Sequence, residues 1–208
     1  MKQKITRTLN FEMGTEEVEQ KGRITGRPIV YNSLTDIGYF WEQIAPGALD
    51  HTDLRDVRLL INHDTSRIPL ARSRRNNENS TMQLIPVTEG MDFRADIDIE
   101  NNAEARALYS AIERGDISGM SFMFIIDGEE WTDLDTDKPT RTITSISKVY
   151  EISAVTFPAY EDTSINVQRS LDNEALESAR ATLEREKEAK RQLELAKAKL
   201  RLQLQLER

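Results

Sequence analysis

The sequence predicts a mixed α+β fold, with a mostly antiparallel β-barrel core followed by a long C-terminal amphipathic helix. Two observations lead to this prediction. Short segments that alternate apolar and polar residues recur through the first 170 of the 208 residues, separated by turns rich in Gly, Pro and Asp. Beyond residue 170, Gly and Pro are absent and good helix formers dominate. The short strands are numerous enough for the body to close, or nearly close, on itself.

The first part of the body is predicted to be a succession of strands. Two of them form a hairpin around Thr88-Glu89-Gly90. Gly26 and Pro28 mark a bulge or a sheet edge within another. The predicted strands are 5–11, 23–31, 40–44, 57–62, 82–87 and 91–99.

One helix is predicted in the body, at residues 102–114. Asn101 or Asn102 can cap its first turn, because a side-chain carbonyl there accepts from a free backbone N–H group. Its apolar residues recur at helical spacing and should face the core. They are Ala103, Ala107, Leu108, Ala111 and Ile112.

Three strands are predicted after this helix. Segment 117–126 is a continuous apolar run, which is typical of a strand buried on both faces. Segments 141–147 and 149–157 alternate apolar and polar residues. The polar, turn-rich segment 133–139 should join the first of these strands to the second.

The end of the chain is predicted to be a separate element, which divides the protein into a domain at 1–169 and a helical tail at 170–208. A heptad of apolar residues can be drawn through the tail, but Glu186, Lys190 and Lys197 interrupt it. A solvated helix with a partner-binding stripe and a disordered tail are both compatible with this pattern. The apolar heptad positions are Leu176, Ala179, Leu183, Leu193, Leu200 and Leu204.

Composition excludes several classes of protein. With 38% apolar and 31% charged residues, the chain has the composition of a globular protein with a modest core. It lacks cysteine, so disulfides, thiolate metal sites and a cysteine nucleophile are excluded. No apolar run is long enough to span a bilayer, and the basic start has no apolar signal region. The net charge of −8 makes nucleic acid an unfavourable partner, so neither a membrane nor a nucleic acid partner is expected.

Three polar residues in or beside predicted strands could together activate a serine nucleophile. His63 directly follows segment 57–62, Ser121 lies within an apolar run, and Glu151 lies in the last predicted strand. Imidazole is the natural general base near neutral pH, and a carboxylate can orient it. Ser118 competes with Ser121 for the role of nucleophile, and each residue alone is more often structural. His51, in a polar stretch, is predicted to be exposed.

Other catalytic patterns are missing. The residues around Ser121 do not form a G-x-S-x-G elbow, and there is no phosphate-binding glycine loop. Two histidines without short spacing, and no cysteine, make a structural zinc site improbable. No metal or cofactor is therefore expected.

Four stretches, in order along the chain, resemble the prohead (capsid maturation) serine proteases of tailed bacteriophages, which are related to herpesvirus assembly proteases. A fifth match, Gly26 with Val30-Tyr31, precedes them, and the similarity covers roughly residues 20–169. The departures from the family pattern are Met123 and Ala71, where the family usually or often has glycine. The four stretches are 40–49, with a family-like F-x-E-x-I-x-P-G-A pattern; Asn62-His63-Asp64 followed by Pro69-Leu70-Ala71-Arg72; Ile117-Ser118-Gly119-Met120-Ser121-Phe122; and 150–160, which begins Tyr150-Glu151-Ile152-Ser153.

The resemblance implies a serine endopeptidase with a β-barrel core and flanking helices. It implies that His63 is the general base, and it favours Ser121 over Ser118 as nucleophile. Glu151 would be the third member, with Asp64 as the alternative. The implied substrates are the major capsid protein, the scaffold and the protease itself, which can also associate with its own copies.

The implied location is the host bacterial cytoplasm, inside the assembling procapsid. The helical tail would dock on scaffold or be removed by self-cleavage. Two other functions suit the same sequence: a non-catalytic phage head or tail protein on a related β scaffold, and a coiled-coil adaptor whose body binds peptides by strand addition.

Overall fold

A computed structural model describes residues 4–10, 13–18, 21–156 and 163–206. These residues form two β-sheets and two α-helices, so the predicted α+β class with a C-terminal helix is confirmed. A single cluster of buried apolar side chains draws on both sheets and on the first helix. It includes Phe122 and Phe124 from one sheet, Met91 and Phe93 from the other, and Leu108 from the helix.

The larger sheet has seven strands in the order β1-β10-β11-β5-β4, with β6 and β7 attached beside β11. Its centre is the long hairpin of β10 and β11, joined by the predicted turn at 133–139. The two strands predicted at 141–147 and 149–157 are one continuous strand, β11, whose pairing with β10 shifts register at several points. The strands are β1 Lys4–Asn10, β4 Thr35–Asp36, β5 Trp41–Ile44, β6 Arg58–Ile61, β7 Ala71–Arg72, β10 Gly119–Thr132 and β11 Thr140–Val155.

The second sheet has four strands in the order β2-β3-β9-β8, all antiparallel. The β8–β9 hairpin confirms the one predicted at 82–99. The register of β3 against β9 shifts between Gly26 and Ile29, which is the predicted bulge. The bounds are β2 Met13–Val18, β3 Lys21–Val30, β8 Met82–Val87 and β9 Gly90–Ile97.

The helix of the body, α1, spans Ala103–Glu113, in agreement with the prediction. Asn102 is its N-cap, and its side-chain oxygen accepts from the amides of Glu104 and Ala105. The predicted core face was only partly right. Leu108 and Ile112 are buried, but the third buried residue is Ala105, while Ala103 and Ala107 are exposed.

The predicted closed barrel was wrong for the described residues, because their strands make two open sheets. The reason lies in the edge of β11 that faces away from β10. Two short strands share that edge in parallel: β5 pairs with its first residues and β6 with its last. Beyond β5 the sheet continues only to β4, and beyond β6 only to β7. Each of these outer strands has two residues, and no described strand pairs with its outer edge. A strand count predicts closure only if each strand runs the full height of a sheet.

Helix α2, Thr163–Leu206, begins before the predicted domain boundary at 169/170 and is 44 residues long, or about 65 Å at 1.5 Å per residue. Two of its early residues, Asp172 and Leu176, are buried, whereas Leu193 and Leu200 farther along are exposed. Neither helix among the described residues is both long and apolar enough to cross a membrane.

A buried charge cluster fastens α2 to the larger sheet; its members are Arg7, Glu42, Arg141 and Asp172, each at most 7% exposed. Arg7 of β1 makes two hydrogen bonds to the Glu42 carboxylate and one of 2.9 Å to Asp172. Arg141 lies 3.3 Å from Glu42 and 3.7 Å from Asp172. Burial alone would lower the pKa of Arg7, but the carboxylates of Glu42 and Asp172 outweigh it and raise the pKa above its ordinary value.

Candidate active site

His63 lies in a tight turn directly after β6. The amide of Asp64 donates to the carbonyl of Ile61 at 3.0 Å, and both central residues, Asn62 (φ 50°) and His63 (φ 59°), have left-handed backbones. Positive φ at both centres is the signature of a type I′ turn, in which asparagine is favoured. Asn62 also bonds the backbone amide and the hydroxyl of Thr156 at 2.9 and 3.1 Å. These bonds hold two consecutive non-glycine residues in the left-handed backbone conformation. That conformation costs free energy in residues other than glycine, and such strain clusters at functional sites.

The turn directs the His63 side chain onto β11, where it meets Glu151. The distance from Nδ1 of His63 to Oε1 of Glu151 is 2.5 Å, and the Glu151 side chain is only 4% exposed. Because a carboxylate accepts, the proton of the neutral imidazole lies on Nδ1, and Nε2 carries the free lone pair. Within the described part of the chain, Nε2 has no hydrogen-bond partner, and the His63 side chain is 26% exposed. An oriented imidazole with a free Nε2 is the geometry of a general base.

Ser153 completes this group. Its hydroxyl donates to Oε2 of Glu151 at 2.5 Å and accepts from the backbone amide of His63 at 3.2 Å. Sequence reasoning missed its role, although Ser153 was within the quoted motif. The available signal was spacing, since residues two apart on a strand share a face.

Ser121 lies at the centre of the larger sheet and is fully buried. In register it is opposite Ser153 on one side and Thr8 of β1 on the other. Directly opposed residues project to the same face, so Ser121 lies on the face that carries Ser153 and Glu151. Its hydroxyl donates to the carbonyl of Arg7 and accepts from Thr8 Oγ1, both at 2.9 Å. No hydrogen bond joins Ser121 to His63 in the described structure.

The competing candidates have different surroundings. Ser118 is exposed and precedes β10, so it is outside the strand that carries Ser121. Asp64 bonds Ser66 and Arg67, and the Ser66 hydroxyl and amide lower its pKa; the carboxylate that touches the His63 ring is that of Glu151. His51 is exposed, as predicted.

The two departures from the family pattern are accommodated locally. Met123 is opposite Glu151 in register, and the pairing shifts directly after it. Ala71 is buried in β7 opposite Leu59. The motif residues 157–160 lie outside the described residues.

A cavity of about 200 Å³ opens beside the His63 turn. It combines apolar with charged side chains, and Ile68 within it is 82% exposed. Among the described residues, no group of three or more acidic or histidine side chains is arranged to hold a metal ion. The cavity is lined by Leu60, Ile61, Asn62, Asp64, Arg67, Ile68, Leu70 and Glu104.

Comparison with known proteins identifies the family of the chain. The family model of the caudovirus prohead serine proteases matches residues 10–177, most of the chain. The prohead protease of Enterobacteria phage HK97 is 27% identical over 178 residues, which cover 81% of this chain and 71% of that protein. The solved bacteriophage T4 capsid assembly protease, gp21, gives a TM-score of 0.47 at 13% identity, covering 75% of this chain and 98% of that one. The chain belongs to the caudovirus prohead serine protease family and is a serine protease of capsid maturation.

Proposed function

We propose that Ser121 is the nucleophile of this protease, His63 its general base and Glu151 the residue that orients the base. The observation that carries the proposal is the 2.5 Å contact between His63 Nδ1 and Glu151 Oε1, which leaves Nε2 free to accept a proton. The shared face of Ser121 and Glu151 supports it, as does the exposed, separate position of Ser118. Domain 1–169 would then contain the whole catalytic group.

The chemistry follows from these roles. Nε2 of His63 takes the Ser121 hydroxyl proton as the oxygen bonds to the peptide carbonyl carbon. The same proton passes to the departing amine, and the C–N bond breaks to leave an acyl-enzyme. Water, deprotonated by His63, then attacks the acyl carbon and releases the serine. Glu151 stabilises the imidazolium that forms in each step.

Acylation requires Ser121 to leave its present partners. Its hydroxyl donates to the carbonyl of Arg7 in β1, and its side chain is fully buried. We therefore propose that the described arrangement is a latent one, and that β1 must separate from β10 near Thr8 before a substrate can reach Ser121. Self-cleavage within or near this strand would make the change irreversible.

The proposed substrates are the major capsid protein and the scaffold of the same phage, together with the protease itself, inside the assembling procapsid within the host cytoplasm. The family description and the names of the relatives support this assignment. Segment 170–208 would dock on scaffold. Its exposed leucines, Leu193, Leu195 and Leu200, support a partner-binding role.

The test is co-expression with the capsid protein of the same phage, read by mass spectrometry of both chains. Ser121→Ala and His63→Ala should abolish trimming and self-cleavage, while Ser118→Ala, a matched serine nearby, should preserve both. Full trimming in either of the first two variants would contradict the proposed roles.

The tail is tested by truncation after residue 180, which keeps the buried Asp172 and Leu176. We expect normal self-cleavage and reduced incorporation into procapsids. Unchanged incorporation would exclude a docking role for the remaining helix.

A further inference from the structure

We propose that Ser153 is a positioning residue of this protease, which sets both the carboxylate of Glu151 and the backbone of His63 for catalysis. The inference rests on the proposed roles of His63 and Glu151 and extends them. Ser153 is fully buried and lies between the general base and the nucleophile, opposite Ser121 in the sheet.

The first action of Ser153 is on the carboxylate. Glu151 is almost fully buried, and each of its oxygens accepts one hydrogen bond: Oε1 from His63 and Oε2 from Ser153, both at 2.5 Å. A buried carboxylate without donors is costly, so the second donor stabilises the ionised group. It also fixes the rotation of the carboxylate, because two donors on opposite oxygens define its plane. Oε1 is thereby kept directed at Nδ1 of His63.

The second action is on the backbone. The hydroxyl of Ser153 accepts from the amide of His63, a residue with φ of +59°. Non-glycine residues hold this conformation only where surrounding bonds enforce it. Asn62 enforces it from one side through Thr156, and Ser153 enforces it from the other. A single hydroxyl thus connects the orienting carboxylate to the main chain of the base.

A second fully buried serine provides a matched control. Ser73 accepts from the amide of Val57 and donates to the carbonyl of Leu54, both at 2.8 Å. It joins two main-chain groups near the opposite end of β6 from His63. Ser73→Ala therefore removes a bridging hydroxyl of equal burial without touching Glu151.

The first experiment measures capsid-protein trimming. Ser153→Ala should lower the rate about 10- to 100-fold, the cost of a slightly misplaced catalytic group, while Ser153→Thr, which keeps the hydroxyl, should recover part of it. Ser73→Ala should stay within about twofold of wild type. In a Glu151→Gln background, Ser153→Ala should have a smaller further effect than in wild type, because the action on the carboxylate is already lost and only the bond to the His63 amide remains to be removed.

The second experiment is independent of activity. In Ser121→Ala protein, a proton NMR signal far downfield of the amides should report the Nδ1–H of His63, identified by its loss in His63→Gln. Ser153→Ala should shift or broaden that signal, and Ser73→Ala should not. A Ser153→Ala protein with wild-type trimming and an unchanged signal overturns the inference. Loss of trimming equal to that in Ser73→Ala overturns it too. Both outcomes leave the proposed function intact, which fails only if Ser121→Ala or His63→Ala still trims.

Discussion

Replacing Arg7 by methionine tests whether the contribution of the charge cluster to the free energy of unfolding depends on its burial and not only on its ion pairs. Methionine keeps the apolar stem and removes the guanidinium that bonds both Glu42 and Asp172. Arg141 remains as the only cluster cation for two carboxylates that are each at most 3% exposed. Removing one partner of a buried ion pair costs about 3–5 kcal/mol, and here the two buried carboxylates would have to share the Arg141 guanidinium, which also bonds Glu129.

The matched control is Arg27→Met. Arg27 also reaches both oxygens of a carboxylate, that of Asp92, at 2.5 and 3.2 Å. Both side chains are 37% exposed, so water can solvate Asp92 once Arg27 is gone. Pairs of this kind contribute about 0–1 kcal/mol. The ion pairs that the two substitutions remove therefore differ far more in burial than in the number of hydrogen bonds.

The assay is equilibrium urea unfolding, in a Ser121→Ala background that excludes the proposed self-cleavage. We expect Arg7→Met to lose several times more free energy of unfolding than Arg27→Met. The double variant Arg7→Met/Asp172→Leu should be more stable than Arg7→Met alone, because it removes one of the buried carboxylates that Arg141 must otherwise neutralise. Equal, small losses for Arg7→Met and Arg27→Met would refute the reasoning, as would strictly additive effects in the double variant.

Three further predictions concern the turn, acid stability and the cavity. Asn62→Gly should retain more trimming activity than Asn62→Ala, because glycine accepts the left-handed backbone that precedes His63; the opposite order in a trimming assay would contradict a backbone role. The pKa of Asp53 is lowered by hydrogen bonds from Arg55 and Lys148, so its contribution to folding is present above the unfolded pKa of about 3.9 and is lost as pH falls below it. Asp53→Asn should therefore be less stable than wild type by up to about 1 kcal/mol at pH 7, with a deficit that shrinks below pH ~4 in urea titrations; a constant deficit would contradict this. Ile68→Asp should raise KM for capsid-protein cleavage with little change in kcat, if the cavity beside His63 receives substrate side chains; an unchanged KM would exclude that.

Local patterns predicted the elements of this fold better than their assembly. The β8–β9 hairpin and the capped helix α1 follow from turn residues and periodicity, which act over a few positions. The pairing of both β5 and β6 with one edge of β11 brings together residues about a hundred positions apart. Local sequence patterns do not indicate that two strands pair with the same edge of a third, and the prediction of a closed barrel was wrong for that reason.

The candidate site shows the same limit. Chemistry and resemblance pointed to His63, Ser121 and Glu151, because imidazole, hydroxyl and carboxylate are conspicuous in apolar surroundings. Their geometry required the left-handed turn at His63 and the register of β10 with β11. The hydrogen bond from Ser153 to Glu151 was indicated only by the two-residue spacing, and the bond from Ser121 to the Arg7 carbonyl by nothing, since a main-chain oxygen carries no distinctive signal.

Arg7 connects the charge cluster on one face of the larger sheet with Ser121, whose side chain lies on the other face. The cluster could therefore affect the accessibility of Ser121. The side chain of Arg7 is held by Glu42 and by Asp172 of α2, while its carbonyl accepts the hydrogen bond of Ser121. If β1 must move off Ser121, as proposed above, that movement requires breaking the buried bonds of Arg7. The cluster would therefore oppose the uncovered form, in which these bonds are absent. Arg7→Met should thus lower stability and raise the reactivity of Ser121 toward a fluorophosphonate, opposite effects that simple loss of folded protein would not produce together.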